Sequence, residues 1–507
     1  MFKRLTLSLS MLLVVGFSHF ASAQPSFIKD SLDTYVTRAM QQWQIPGVSI
    51  AVIKGDSVWV MKGYGVLEQG GNQKVNEHTR FGIGSNTKAF TGTAMAMLET
   101  DKKLSLDDKV QKWVPDFTMY DPWVAKEAMV RDLLSHRLGF ETFQGDFMYF
   151  DSDLTYKQVK EKFGKLKPMY GLRSKWGYTN AAFAVAGEVI EKASGQSWAS
   201  FLDSRIFKPL GMYNTLAVTN QIDTARNTAK AHTIVEGKLK KVPYGRLDNM
   251  APAGNIFSSA YDMSRWAKAL LNDGELDGKK IIDPAAIAST RLPHSIMGNN
   301  QHPFNRTHFA LYGLGWFLND YEGKLLVEHT GGVNGFVTAV TLVPEEKIGI
   351  IVLTNTDYNG FFEAMKAELL DACLGLPYRN YNGFAMNMQE EGETRRAKTL
   401  KERRDTVAMK IPMAASMDAF AGIYQHDVYG KMTISKENDK LIARFEYHKG
   451  RYATLEPMGG NRMLASFNDP LYGVRVWPFT IENGKVKSVT MTVSSFIEFT
   501  PYEFIRQ

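Results

Sequence analysis

Two pairs of β-branched apolar runs, set far apart in the chain, constrain its fold more than any other feature. Gly47–Ile53 and Val58–Gly63 flank Lys54-Gly55-Asp56-Ser57, while Thr338–Val343 and Ile348–Thr354 flank Pro344-Glu345-Glu346-Lys347. Short apolar runs bounded by turn residues read as buried strands joined in hairpins. A helical pattern of Leu32, Tyr35, Ala39 and Trp43 precedes the first pair, and a helical run, Phe361–Leu374, follows the second. From about Leu104 to Leu271 the spacing is mainly helical, with loops rich in Gly, Pro and Asp. Strands and a helix at both ends, with helices between, predict one α/β domain that holds a helical insertion.

A chain of 507 residues is too long for a single core. Arg379 to Ala414 is charged, poor in large apolar residues and reads as a linker. Beyond it, Leu441, Ala443, Phe445 and Tyr447 alternate with Ile442, Arg444 and Glu446, the period of a strand. Val474–Ile481 and Val486–Val493 flank Glu482-Asn483-Gly484-Lys485, whose Asn-Gly is a strong hairpin signal. Residues 415–507 therefore read as a separate antiparallel β domain, a small barrel or sandwich.

Lys3 and Arg4, a mostly apolar stretch from Leu5 to Phe20, and Ala21-Ser22-Ala23 have the form of a secretory leader covering residues 1–23. The expected location is periplasmic or secreted, with no stable membrane insertion once the leader is cut. Losing Lys3 and Arg4 takes the formal charge from +7 to +5, without a basic stripe, which argues against nucleic acid as a partner. Cys373, the single cysteine, lies in an apolar run and reads as a small buried hydrophobe. The histidines show no tight ligand spacing, so neither a metal nor another cofactor is expected.

Three short segments carry chemistry. In Phe81-Gly82-Ile83-Gly84-Ser85-Asn86-Thr87-Lys88, Ser85 and Lys88 are one helical turn apart and share a face. A lysine whose pKa is depressed by burial can take the proton of a serine hydroxyl, which is otherwise a poor nucleophile. The plain alternative is a capping serine beside a solvated lysine; the glycines before Ser85 and the apolar helix after it favour the chemical reading. In Tyr178-Thr179-Asn180 a phenol can pass a proton and a carboxamide can align an amide, although Asn180 also suits a helix N-cap. His329-Thr330-Gly331-Gly332 precedes a strand, where a cationic or hydrogen-bonding side chain can hold a substrate carboxylate.

In this order the three segments resemble the serine β-lactamase and penicillin-binding-protein superfamily. The likeness is nearest to the branch of class C β-lactamases, D-Ala-D-Ala carboxypeptidases and related esterases. Pro46-Gly47-Val48-Ser49, Leu133-Leu134-Ser135-His136-Arg137-Leu138-Gly139, Pro209-Leu210-Gly211-Met212 and Pro252-Ala253-Gly254-Asn255-Ile256-Phe257-Ser258-Ser259 support it. The resemblance spans about Phe27 to Pro377 and implies a β-lactamase-like α/β sandwich, an antiparallel sheet flanked by helices. It divides the chain into a leader (1–23), a hydrolase domain (27–377), a linker (378–414) and a β domain (415–507) similar to lipocalins.

The family implies that Ser85 is acylated, that Lys88 and Tyr178 share the proton transfers, and that Asn180, His329, Thr330 and Gly331 contact substrate. The backbone N–H groups of Ser85 and Gly332 would form the oxyanion hole. The implied activity is that of a peptidase, esterase or amidase on a peptide or small molecule, with a β-lactamase or a non-catalytic penicillin- or ligand-binding protein as the alternative. A homo-oligomer is possible. His329 stands where many β-lactamases carry Lys, so a preference for carboxylate-bearing substrates is expected to weaken as pH rises. Tyr424, Phe445, Tyr447 and Trp477 are expected to pack the β domain's interior or, less simply, to line a ligand cavity.

Overall fold

The computed structural model describes residues 24–507 other than 220, 221, 223 and 300; the expected leader lies outside the described residues. The two hairpins meet in one eight-stranded antiparallel sheet. Its strands are β1 (Gly47–Lys54), β2 (Ser57–Gly65), β3 (Ser295–Asn299), β4 (Phe309–Tyr312), β5 (Phe317–Tyr321), β6 (Lys324–Val333), β7 (Phe336–Val343) and β8 (Ile348–Thr354). Their spatial order is β2-β1-β8-β7-β6-β5-β4-β3. The first and last strands of the domain pair with each other, with Val48 opposite Thr354, Ile50 opposite Val352 and Val52 opposite Ile350.

The period-2 alternation of β1 and β8 sorts their side chains onto two faces. Val48, Ile50, Val52, Ile350 and Val352 pack under helices α1 (Leu32–Gln42) and α5 (Phe361–Leu374). Ala51, Ile53, Ile351 and Leu353 face the other side, with the helical insertion. The insertion is centred on α2 (Thr87–Thr100), which is buried from Thr87 to Leu98, and includes α3 (Asn180–Ser194) and α4 (Ala260–Leu271). A helix that is apolar on all sides has to be a central one.

The segment expected as a linker holds a single 28-residue helix, α6 (Tyr381–Ala408). Its only buried residues are Tyr381 and Asn382. Trp43 donates to the Asn382 side chain at 2.7 Å, and Tyr381 donates to Asp371 at 2.8 Å, which ties the start of α6 to the first domain. At the far end Arg403 donates to the Val474 carbonyl at 3.1 Å. The absence of an apolar stripe hides such a helix from periodicity, but good helix formers and the Lys401–Asp405 pair at 2.6 Å support it. A helix that is polar on all sides suits a solvated strut between two packed bodies.

The C-terminal part is a closed antiparallel barrel of eight strands, from Gly422–His426 to Tyr502–Arg506, each paired with the next and the last with the first. Tyr424, Phe445 and Trp477 are buried in its packed interior, whereas Tyr447 lies past the strand end with the Lys162 Nζ 4.4 Å from its ring centroid. The barrel mouth receives Phe147 from the α/β domain. Its ring stacks on His448 (4.4 Å, 7°) and lies near Phe445 and Tyr502, so one apolar cluster runs from the insertion into the barrel.

Among the described residues no helix is long and apolar enough to cross a membrane. Because Phe147 is 1% exposed, Phe147→Ala is expected to cost about 3–5 kcal/mol and to split thermal unfolding into two steps. A calorimetric trace that stayed single and unshifted would show that this ring does not couple the domains.

Candidate active site

Ser85 sits in a tight 3-10 turn, Gly84–Asn86, that runs directly into α2. The turn lies against β6 and needs its glycines: Gly84 has φ +51°, and a Cβ there would stand 2.7 Å from the Gly332 nitrogen. A Cβ on Gly331 would stand 1.8 Å from the Ile83 carbonyl oxygen. Asn86 locks the turn by donating to the Ile83 carbonyl at 3.1 Å and to the Thr338 hydroxyl at 2.8 Å.

Lys88 is the second residue of α2 and is fully buried. Its Nζ lies 3.1 Å from Ser85 Oγ, 2.6 Å from Asn180 Oδ1 and 2.7 Å from the Ala253 carbonyl oxygen. Two of these partners are acceptors only, so a neutral amine spends its two hydrogens on them and turns its lone pair to the Ser85 hydroxyl. Burial pushes the Lys88 pKa down to about 7, with Asp146 pulling the other way. The Ala253 carbonyl comes from the Pro252–Ser259 phrase, and Thr91 fastens the same phrase by donating to the Pro252 carbonyl at 2.7 Å.

Tyr178 precedes α3, and its side chain lines the same cleft as Ser85. Burial raises its pKa, so it is a neutral phenol that can donate. The Lys88 Nζ lies 4.7 Å from the Tyr178 ring centroid. His136 holds this loop: its Nδ1 accepts from Thr179 N–H at 3.0 Å, its carbonyl accepts from Gly177 N–H at 2.9 Å, and its ring lies against Tyr178 at 4.2 Å. Burial depresses the His136 pKa well below the usual range, so it is a neutral support.

Asn180 is the first residue of α3; the cap position belongs to Thr179. Its carboxamide accepts from Lys88 and donates to Asp146 Oδ2 at 2.6 Å, so both ends are engaged by protein. Asp146 lies in the turn Asp146–Met148, and burial pushes its carboxyl up to about 7. Lys88 and Asp146 thus lie on either side of Asn180, and each favours the charged form of the other.

Strand β6 runs past its neighbour: β5 pairs with it only from Lys324 to Glu328, which leaves His329–Val333 open on that side. Thr330 and Gly332, two apart, turn their backbone groups to the same edge. Both line a cleft of about 320 Å³ that also contains Ser85, Tyr178, Asn180 and Asp146. Gly331, the residue between them, faces Ile83 and is not on the cleft wall.

His329 differs from the expected carboxylate anchor. Its Nδ1 lies 2.6 Å from the Thr330 carbonyl, which can only accept, so Nδ1 carries the hydrogen and Nε2 accepts from Tyr312 at 3.0 Å. Burial, then the nearby Lys88, depress its pKa to about 3. The ring is neutral throughout pH 5 to 8, so the expected weakening of carboxylate preference with pH has no titrating group behind it. The reason is tertiary: Phe317 (4.8 Å) and Tyr312 (6.1 Å) enclose the ring.

The family model described as Beta-lactamase matches residues 32–374. The chain belongs to that family. A second model, a domain of unknown function (DUF3471), matches residues 408–505. An unguisins hydrolase of Aspergillus violaceofuscus is 28% identical over 471 residues, covering 85% of this chain and 82% of its own. Protein flp of Staphylococcus aureus is 28% identical over 342 residues, covering 64% and 63%. The structure of the octameric penicillin-binding protein homologue from Pyrococcus abyssi superposes with TM-score 0.61 at 20% identity, over 94% of this chain and 99% of that one, a likeness of fold. The protein is thus a β-lactamase-family serine hydrolase with an α/β domain and an appended barrel.

Motifs did not reveal Asp146 in this hydrolase, nor Phe496 and Ile497 of the barrel, which also line the cleft. The available signal was a lone acid inside an aromatic run: Asp146 lies among Phe143, Phe147, Tyr149 and Phe150. Carbon-detected NMR of the His329 ring is expected to show no titration between pH 5 and 8; a midpoint near the ordinary histidine value of about 6.5 would overturn the neutral assignment.

Proposed function

We propose that the protein is an exported hydrolase that cleaves an ester, amide or peptide through an acyl-enzyme on Ser85. The observation that carries this reading is the placement of the Lys88 amine between two pure acceptors and the Ser85 hydroxyl. Neutral Lys88 takes the hydroxyl proton as Oγ bonds to the substrate carbonyl carbon. The backbone N–H groups of Ser85 and Gly332 face the oxygen on which negative charge develops, where fixed donors give the most. Tyr178 gives its proton to the leaving group as that bond breaks, and Lys88 restores it. Water then attacks the acyl-enzyme by the reverse transfers, releasing the acid and free Ser85.

In this reading Asn180 and Asp146 orient Lys88, and Thr330 offers its backbone edge to the substrate. The neutral His329 supports esters, amides and internal peptide bonds over substrates defined by a free carboxylate, such as penicillins or D-Ala-D-Ala termini. The relative named as an unguisins hydrolase, aligned over most of both chains, is in keeping with hydrolysis. The octameric state named for the Pyrococcus abyssi homologue makes self-association part of the reading.

A fluorophosphonate is expected to add to the wild type, by intact mass, and not to Ser85→Ala; equal labelling of both would refute the nucleophile. Lys88→Ala is expected to lower kcat/KM on an activated ester by about 10²–10⁴-fold. Because only the unprotonated amine can accept a proton, wild-type kcat/KM should climb through pH 7, the value to which burial brings Lys88, and level off above it. A profile that fell over that range would contradict the assignment. For export, the mature chain is expected in the periplasm or medium with its N-terminus near Gln24. Recovery of an intact Met1 in the cytoplasm would sink that part of the proposal.

A further inference from the structure

The barrel does more than dock on the hydrolase domain: on its loop 493–501, Phe496 and Ile497 reach into the catalytic cleft. This loop is held firmly at its base. Arg475 donates to the Val493 carbonyl at 2.8 Å, Ser494 N–H donates to the Tyr472 carbonyl at 2.9 Å, and the N–H groups of Ile497 and Glu498 both return to the Ser494 carbonyl at 2.9 and 3.0 Å. At its tip Glu498, 2% exposed, accepts from the N–H groups of Gly145 (2.7 Å) and Phe147 (3.0 Å) and from the Tyr429 hydroxyl (2.8 Å). One barrel carboxyl thus grips both sides of Asp146, the residue that holds Asn180.

The grip brings aromatic rings to the cleft that holds Ser85. Phe499 stacks on Phe143 at 5.6 Å and 14°, and Phe143 abuts Tyr178 at 5.4 Å. Phe496 and Ile497 line the cleft with Ser85, and the Phe496 ring edge is 3.8 Å from where a Cβ on Gly332 would stand. Phe496 is 38% exposed, so its position is not explained by burial in either core. It is an aromatic surface held beside the exposed backbone of Gly332.

The rest of the lining gives the chemistry of what would lie against it. Phe150, Trp176 and Phe317 add aromatic surface, and no Lys or Arg is among the described lining residues. A substrate carboxylate entering here would lose water and find no fixed cation. An uncharged apolar group would exchange water for ring contacts.

We infer that Phe496 of the barrel is a specificity-determining residue of the hydrolase cleft. With Ile497 it limits the site to slender, uncharged, apolar substrates, and Glu498 is the positioning residue that keeps this wall in place. The inference rests on the acyl-enzyme reading and deepens it: the substrate class is set by the appended barrel and not by the hydrolase domain alone.

The test is a set of p-nitrophenyl esters, acetate, 1-naphthoate and hemisuccinate, assayed with the full-length mature protein. The wild type is expected to prefer acetate over both others by at least about tenfold, the scale on which pocket fit discriminates. Phe496→Ala should raise the naphthoate-to-acetate ratio of kcat/KM by about tenfold and leave the hemisuccinate disfavoured, because no cation is gained. Phe496→Trp should lower the naphthoate ratio below the wild-type value. Glu498→Gln, of nearly the same size, should shift the ratio in the direction of Phe496→Ala by loosening the wall. Ratios that stay within twofold of wild type in both Phe496 variants would overturn the inference while fluorophosphonate labelling of Ser85 still upheld the acyl-enzyme. Loss of that labelling in the wild type would overturn both. A wild type that preferred the hemisuccinate would overturn the uncharged-substrate part.

Discussion

A lysine amine enclosed in an apolar helical layer is the constraint around which this protein is organised. Water would hold that amine protonated; burial lowers its pKa to about 7. Burial of a polar group is tolerated only where its hydrogens find acceptors, and here Asn180 and the Ala253 carbonyl supply them. Each supplier is fixed by another local need. Asn180 opens α3, Ala253 belongs to a phrase tied to α2 by Thr91, and the Ser85 turn can approach β6 only because Gly84 and Gly331 lack side chains. Asp146 then places a second titratable group across Asn180. Moving one proton between Lys88 and Asp146 leaves their summed charge unchanged, which lets a buried site hold a base without a stranded net charge.

The two folded bodies are joined through reciprocal insertion more than through their connector. Helix α6 has only Tyr381 and Asn382 fully buried and contributes chiefly length and stiffness. The hydrolase domain sends Phe147 into the barrel mouth, and the barrel returns Glu498 to the N–H groups on either side of Asp146. Further hydrogen bonds border the exchange, among them the Tyr472 hydroxyl donating to the Phe150 carbonyl at 3.2 Å. The same short turn therefore carries a domain-docking ring and an active-site carboxyl. Disturbance of the barrel should be felt at Lys88 through that turn.

Among its described lining residues the cleft has no lysine or arginine. His329 spends both ring nitrogens within the protein, and its neutrality follows from burial beside another basic group. The open edge of β6 still offers backbone donors and acceptors, which recognise a carbonyl without demanding charge. Recognition thus shifts from an ion pair to shape and apolar contact, a mode in which small changes in wall geometry translate into selectivity.

Features that depend on near neighbours in the chain were legible from the amino acids alone. The two hairpins, helix Phe361–Leu374, the Asn483-Gly484 turn and the Ser85–Lys88 spacing each express a local period or a turn preference, and each stands where expected. Helix α6 was hidden because a helix without an apolar stripe has no periodic mark, even though its residues favour helix. What tertiary structure alone decided involves partners hundreds of residues apart. The protonation of His329 depends on rings packed around it from two other strands, and the amide of Asn180 is claimed by Lys88 and Asp146 from two separate segments. The place of Phe496 beside Gly332 exists only because the barrel docks as it does. Sequence records what a residue can do, but burial and distance determine which of those things it does, and both are properties of the folded whole.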